Sequence, residues 1–146
     1  MEANTKNQKI PSVSIILPAY NAHNTIKRTL SSIAMQENID DIEVIIADDC
    51  SAIGYEKIAE QFAHMMQIRI VRMLKNGGPG AARQVGFDHS RGKYIMYMDA
   101  DDTLISADTI KVLRAVMDER NMDCVYGKLL EENEDGSIYP HEVHMV

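Results

Sequence analysis

The sequence predicts an α/β domain with a mostly parallel sheet and helices on both faces. Two patterns carry that expectation. Short apolar runs of strand type alternate with stripes of helical spacing along the chain, and each run stops at a polar or glycine-rich segment. At 146 residues the chain has room for one domain with a real core and hardly for two.

Residues 13–17 form a short apolar run closed by Pro18, the mark of a buried strand. Ile26, Leu30, Ile33 and Ala34 then recur at helical spacing, with Asn24 in position to cap. Residues 42–47 read as a second strand that stops at Asp48-Asp49. After Gly54 a helical stripe runs through Tyr55, Ile58, Ala59, Phe62, Ala63 and Met66. Residues 68–74 read as a third strand ended by Asn76-Gly77-Gly78-Pro79-Gly80, and a helix follows from Pro79 or Gly80 to about Ser90 with Ala82, Val85 and Gly86 inward. Residues 94–98 make a fourth strand. Ser106 is placed to cap a helix carrying Ile110, Leu113, Val116 and Met117; residues 124–130 read as a fifth strand, and Glu134-Asp135-Gly136 as a hairpin turn. No repeat, linker or low-complexity stretch interrupts the series.

Composition narrows the function classes. Hydrophobic residues are 45% and charged residues 25%, the balance of a folded globular protein. A formal charge of −7 disfavours a broad nucleic-acid interface, yet leaves room for a small anion held by local positive charge or by a cation. Cys50 and Cys124 lie in no metal-ligand spacing and read as reduced structural thiols. Neither a signal peptide nor an apolar run of the roughly 20 residues that span a bilayer is present. The expected location is the cytoplasm, including the inner membrane face.

Strict βα alternation implies right-handed crossovers, so the strand ends share one edge of the sheet, where ligands bind in such folds. The unusual residues all follow strands: Pro18, Ala19, Tyr20 and Asn21; Asp48-Asp49; residues 76–83; and Asp99-Ala100-Asp101-Asp102. Three carboxylates within four residues repel one another, and a hard divalent cation relieves that repulsion; Mg²⁺ and Mn²⁺ take oxygen ligands of this kind together with phosphates. The plainer alternative is a solvated acidic loop. Asp48-Asp49 can accept from a base N–H or a ribose hydroxyl, or can be turn chemistry alone. The loop from Asn76 to Arg83 offers backbone N–H groups and a guanidinium to phosphate or ribose, or simply connects two elements. It is neither a dinucleotide fingerprint, since Arg83 stands at the third glycine position, nor a Walker loop. His141 and His144 and the methionine pairs suggest solvent-facing and core residues.

Taken together, these segments resemble the family 2 glycosyltransferases, which have the Rossmann-like GT-A fold. The likeness covers residues 12–103 and four motifs in family order. Val13-Ser14-Ile15-Ile16-Leu17-Pro18-Ala19-Tyr20-Asn21 looks like the opening strand and nucleotide loop. Glu43-Val44-Ile45-Ile46-Ala47-Asp48-Asp49-Cys50-Ser51 looks like the second strand, whose last Asp contacts the base. Residues 76–83 with Gln84 and Gly86 resemble the glycine-rich segment, and Lys93-Tyr94-Ile95-Met96-Tyr97-Met98-Asp99-Ala100-Asp101-Asp102 resembles the strand bearing the DXD motif. Cys50 stands where the family often has Gly, and Gln84 where it often has Asn. The resemblance implies residues 1–11 as a flexible N-terminus and 12–146 as a nucleotide-sugar-binding domain that stops before the family's acceptor half.

The same resemblance implies the chemistry. Pro18, Ala19, Tyr20 and Asn21 would wall the nucleotide pocket, Asp49 would orient the base, and Gly78 and Arg83 would lie at ribose or phosphate. Asp99 would contact ribose or the metal's shell, and Asp101 would bind Mn²⁺ or Mg²⁺, with Asp102 able to substitute. The expected reaction is a metal-dependent inverting transfer from a nucleotide sugar, leaning to UDP, onto a saccharide or lipid-linked acceptor hydroxyl. The catalytic base is expected after Val146. Two rivals remain at this stage. Asp99-Ala100-Asp101-Asp102-Thr103 also fits the nucleophile motif of haloacid-dehalogenase-like phosphatases, although that family needs further acidic and basic motifs downstream. A non-catalytic nucleotide-sugar-binding module is the other.

Overall fold

A computed structural model of the chain describes residues 9–140. Residues 1–8, which hold most of the expected N-terminal stretch, and 141–146, which hold His141 and His144, lie outside the described part. Two compact units divide at Ile110.

The first unit contains β1 (Val13–Ala19), α1 (Ile26–Ala34), β2 (Ile42–Asp48), α2 (Glu56–Phe62), β3 (Gln67–Arg72), α3 (Gly78–Asp88) and β4 (Tyr94–Tyr97). The four strands form one all-parallel sheet in the order β3-β2-β1-β4. Residues 13 and 42 are opposite one another, as are 13 and 94, so the central strands start level and their ends reach one edge.

The strand period of two sorts side chains between the faces. Val13, Ile15, Leu17 and Ala19 of β1 join Ile42, Val44 and Ile46 of β2 in the larger core cluster, beneath Ile26, Leu30 and Ile33 of α1 and Ile58 of α2. Ile16 and Ala47 face the other way and meet Ala82 of α3. Helices therefore cover both faces, as the alternation predicts. α3 sits close because Gly86 has no side chain: a Cβ there would lie 2.4 Å from Cγ2 of Ile16.

Below Ile16 the α3 face becomes polar. Glu43 is fully buried within the apolar run of β2. Its carboxylate accepts from Ser14 Oγ at 2.6 Å, Arg69 Nη2 at 3.1 Å, and Arg91 through its backbone N at 2.8 Å, Nε at 3.0 Å and Nη2 at 2.8 Å. Burial works to raise this carboxyl's pKa, but the Ser14 hydroxyl, the Arg91 donors and the Arg69 charge together hold it below its ordinary value. The cluster ties the loop after α3 to the start of the sheet.

Several boundaries differ from the sequence expectation. Thr25, not Asn24, precedes α1, and its hydroxyl turns back to the Ala22 carbonyl at 3.2 Å instead of capping an N–H. β3 ends at Arg72, and Leu74 beyond it is fully exposed. Ser106 does not cap the fourth helix: its hydroxyl bonds the Asp108 carboxylate, and its carbonyl accepts from Thr109 Oγ1 at 2.9 Å.

In the second unit α4 (Thr109–Arg120), whose first two residues belong to the first unit, is followed by an antiparallel hairpin of β5 (Leu130–Glu132) and β6 (Ile138–Pro140). The expected fifth strand over residues 124–130 is a correction: among the described residues only Leu130 of that span belongs to a strand, and 124–129 have no regular structure. A strand persists where a partner takes up its backbone groups, and in the register that sets Leu130 opposite Pro140 the positions before Leu130 would face residues after Pro140, which lie outside the described part. The expected turn is present, with Gly136 at φ 81° and its N–H donating to the Asn133 carbonyl at 2.9 Å. Among the described residues no helix is long and apolar enough to cross a membrane.

Candidate functional site

The ends of β1 and β2 are locked to each other before they reach solvent. Asp49 N–H donates to the Ala19 carbonyl at 2.9 Å, and Asn21, at φ 50°, accepts the Ala52 N–H on Oδ1 at 2.9 Å. The Asn21 N–H donates to Ser51 Oγ at 3.0 Å, and the Ala22 N–H to the Tyr55 hydroxyl at 2.9 Å. Tyr55 is fully buried and stacks on His23 at 4.4 Å between centroids. The Ala19 side chain belongs to the core, Pro18 is half-buried and Tyr20 is 57% exposed at the edge. Of the four residues expected to wall a nucleotide pocket, Tyr20 and Asn21 therefore present exposed side chains at this edge, Pro18 is half-buried and Ala19 offers only backbone.

The paired acids after β2 divide their work. Asp48 is fully buried; it accepts from the Ser51 N–H at 2.9 Å and from Arg72 Nη1 at 2.8 Å, a turn stapled to β3. Asp49, 3% exposed, turns toward α3. Its two oxygens accept the backbone N–H groups of Gly77 at 2.7 Å and Gly78 at 2.8 Å. Asp49 thus caps the N-terminus of α3 from a distant strand, which explains why that helix starts at Gly78 and lacks a capping side chain of its own. Gly78 has φ +84°, a conformation that admits glycine and disfavours other residues, and it lets the loop turn both N–H groups onto one carboxylate.

Directly after these acids Cys50 has φ 62°. A left-handed backbone there accounts for the glycine expected at this position, and the side chain is strained by roughly 1 kcal/mol. Cys50→Gly is therefore expected to stabilise the chain by up to about 1 kcal/mol, discounted by the greater entropy of the unfolded chain. Urea titration checks this as a higher midpoint at unchanged slope; an unchanged or lower midpoint would refute it.

The end of β4 holds the acidic cluster. Met98 and Ala100 point into the core, 6% exposed each, which leaves Asp99, Asp101 and Asp102 outward. One carboxylate oxygen from each can be chosen so that all three lie within 4.8 Å of one another. Asp99 Oδ1 also accepts from Arg83 Nη2 at 2.7 Å, which joins the second turn of α3 to the cluster. The Asp102 pKa is raised, first by partial burial and then by the charges of Asp101 and Asp99. The donor set is hard oxygen at the spacing a divalent cation can bridge, and the mutual repulsion is what such an ion would remove; the residues fit Mg²⁺ or Mn²⁺.

The structure adds residues that motif reading passed over. Arg72 and Tyr55 hold the loops after β1 and β2 through Ser51 and Ala22, and Gln36, 4% exposed just after α1, reaches the segment after the acidic cluster. Gln36 did leave a signal. It lies three residues beyond Ile33 on the apolar stripe, where a polar side chain needs partners.

The chain matches the profile of Glycosyl transferase family 2 over residues 14–145. It is 35% identical over 96 residues to the succinoglycan biosynthesis protein ExoO of Rhizobium meliloti, covering 66% of this chain and 27% of that protein. Chondroitin synthase of Pasteurella multocida is 33% identical over 132 residues, covering 89% of this chain and 13% of its own length. Among solved structures, that of S. aureus TarS residues 1–349 in complex with UDP-GlcNAc aligns with a TM-score of 0.70 and 31% identity, over 75% of this chain and 32% of that one. The chain thus spans well under half the length of these relatives. The sheet order and these matches agree on a GT-A fold, and the chain belongs to glycosyl transferase family 2.

Proposed function

We propose that this chain forms the donor-binding part of a metal-dependent, inverting glycosyltransferase that uses a UDP-sugar and a saccharide or lipid-linked acceptor. The observation that carries the reading is the convergence of Asp99, Asp101 and Asp102 beside Arg83, on the edge where Asp49 meets the N-terminus of α3. The leaning to UDP draws support from TarS, solved with UDP-GlcNAc. In this reading Tyr20 and Asn21 wall the nucleotide, Asp49 takes a base N–H on a lone pair left free by Gly77 and Gly78, and Arg83 and Asp99 lie at ribose and phosphate. Asp101, with Asp99 and Asp102, would hold Mg²⁺ or Mn²⁺, which supplies charge neutralisation to the departing diphosphate. The α3 N-terminus adds partial positive charge on the same side. No described residue is assigned as general base. With the family established, Asp99 as a phosphatase nucleophile is not retained.

Thermal unfolding with UDP-GlcNAc tests the proposal. A ligand at about a hundred times its Kd stabilises the native state by about 2.7 kcal/mol. The shift is expected with Mn²⁺ and to fall by more than half in excess chelator. Asp101→Ala is expected to make the two conditions alike. Equal shifts in Mn²⁺ and chelator for the unsubstituted chain would refute the metal part, and no shift with any UDP-sugar would refute the donor assignment.

A further inference from the structure

The acidic cluster is anchored from both sides. Upstream, the Met98 N–H donates to the Ile16 carbonyl at 3.1 Å, continuing the sheet. Downstream, the chain leaves Asp102 without regular structure until Thr109, and in that stretch a free loop would let Asp101 and Asp102 drift from Asp99. It is instead stitched to the end of α1. Ser32 Oγ accepts the Leu104 N–H at 3.1 Å, and the Glu37 N–H donates to the Ala107 carbonyl at 2.7 Å. Gln36 makes the central stitch with both ends of one amide: Nε2 donates to the Ser106 carbonyl at 2.7 Å, and Oε1 accepts the Ile110 N–H at 3.1 Å.

We propose that Gln36 is a positioning residue for the carboxylate cluster, fixing the return path of residues 103–110 so that Asp101 and Asp102 stay beside Asp99. The inference rests on the metal-binding reading above and adds a residue more than sixty positions earlier in the sequence that makes no hydrogen bond to the carboxylates. Three features favour it over ordinary core polarity. The amide is buried, and so is its bond to the Ile110 N–H, a donor that has no ready replacement in water. Both bonds end on the segment that follows the cluster, while the amide's only other bond among the described residues is a long one of 3.4 Å back to the Ser32 carbonyl. One carboxylate oxygen from each of Asp99, Asp101 and Asp102 lies within 4.8 Å of the others, so the cluster has an electrostatic reason to spread if that segment loosens.

The test compares Gln36→Met, which keeps the shape and loses both bonds, with Ile58→Ala, a truncation on α2 in the same core that makes no hydrogen bond to residues 103–110. Two affinities are read by calorimetry: Mn²⁺ alone onto the UDP-saturated chain, and UDP in excess chelator. Gln36→Met is expected to weaken Mn²⁺ about tenfold, as loss of outer support of metal ligands does, while metal-free UDP binding changes less than twofold. Ile58→Ala should alter neither. Gln36→Asn, one methylene short, should fall between. Mn²⁺ affinity within twofold of wild type in Gln36→Met, or an equal loss in Ile58→Ala, overturns the proposal. Should the wild-type chain take up no Mn²⁺, the metal reading fails by itself. Positioning is then decided by amide hydrogen exchange of residues 99–107, where Gln36→Met must open the segment more than Ile58→Ala, and equal exchange overturns it.

Discussion

Glu43→Gln is expected to destabilise the chain by about 3 kcal/mol at neutral pH, though it lies at the end of the sheet away from the proposed site. The carboxylate is fully buried and holds Ser14, Arg69 and Arg91 at once. An amide of the same shape keeps one acceptor oxygen but turns an NH₂ group toward guanidinium donors that it cannot serve. Removing one partner of a fully buried ion pair costs about 3–5 kcal/mol. The lower end applies because the Arg69 and Arg91 side chains are 38% and 36% exposed and water can partly receive their charge. The pH dependence follows from the lowered pKa. A carboxyl lowered on folding contributes its stability in full above its ordinary value of 4.5 and loses it as pH falls through the folded value. Urea unfolding of both chains should thus show a gap that is constant from pH 8 to about 6 and narrows below about 4.5. A gap that is absent at pH 7, or that does not narrow in acid, would mean the network contributes little.

That network shows what the sequence leaves implicit. The order of elements, the parallel sheet and the coming together of four strand ends were legible because each depends on local periodicity and on the handedness of βα crossovers. Glu43 in the midst of an apolar strand is visible as an anomaly, yet its partners Arg69 and Arg91 are chosen by register and by the exit of α3, which no local pattern states. The same limit explains the misplaced start of α3. Pro79 and Gly80 carry the usual marks of a helix opening, but the capping carboxylate comes from Asp49, 28 residues earlier, and draws the helix back to Gly78. Residues 124–129 show the converse: β-type residues that have no regular structure among the described residues, since propensity alone does not make a strand. At the site, the acidic cluster and Arg83 could be read as candidates, and the structure brings them into contact. Gln36, Arg72 and Tyr55 act through atoms of distant backbone, and their part became apparent only in three dimensions.

Asp49→Ala is expected to lower UDP affinity at least tenfold and to abolish any preference for UDP over CDP. Two consequences of losing this carboxylate must be kept apart. The first is local: the N–H groups of Gly77 and Gly78 lose their acceptors, with a stability cost of about 1–2 kcal/mol for an uncapped helix and a looser glycine loop. A looser loop alone weakens every nucleotide alike, since it affects the phosphate side. The second concerns the base. An ionised carboxylate has no proton to donate, so it favours a uracil-type ring, which presents a ring N–H, and rejects cytosine, which presents a lone pair at the same atom. A site built around such a hydrogen bond discriminates because the mismatched pair leaves buried groups unsatisfied. The ratio of UDP to CDP affinities, measured by calorimetry at fixed Mn²⁺, therefore reports the base contact and is blind to capping. Asp101→Ala should leave this ratio unchanged while removing the metal dependence, because the two acids serve opposite ends of one ligand. An Asp49→Ala chain that bound both nucleotides more weakly yet kept the wild-type ratio would confine Asp49 to holding α3. The base would then have to be read by another residue on that edge, with the exposed ring of Tyr20 and the Arg72 guanidinium at the end of β3 the first to replace.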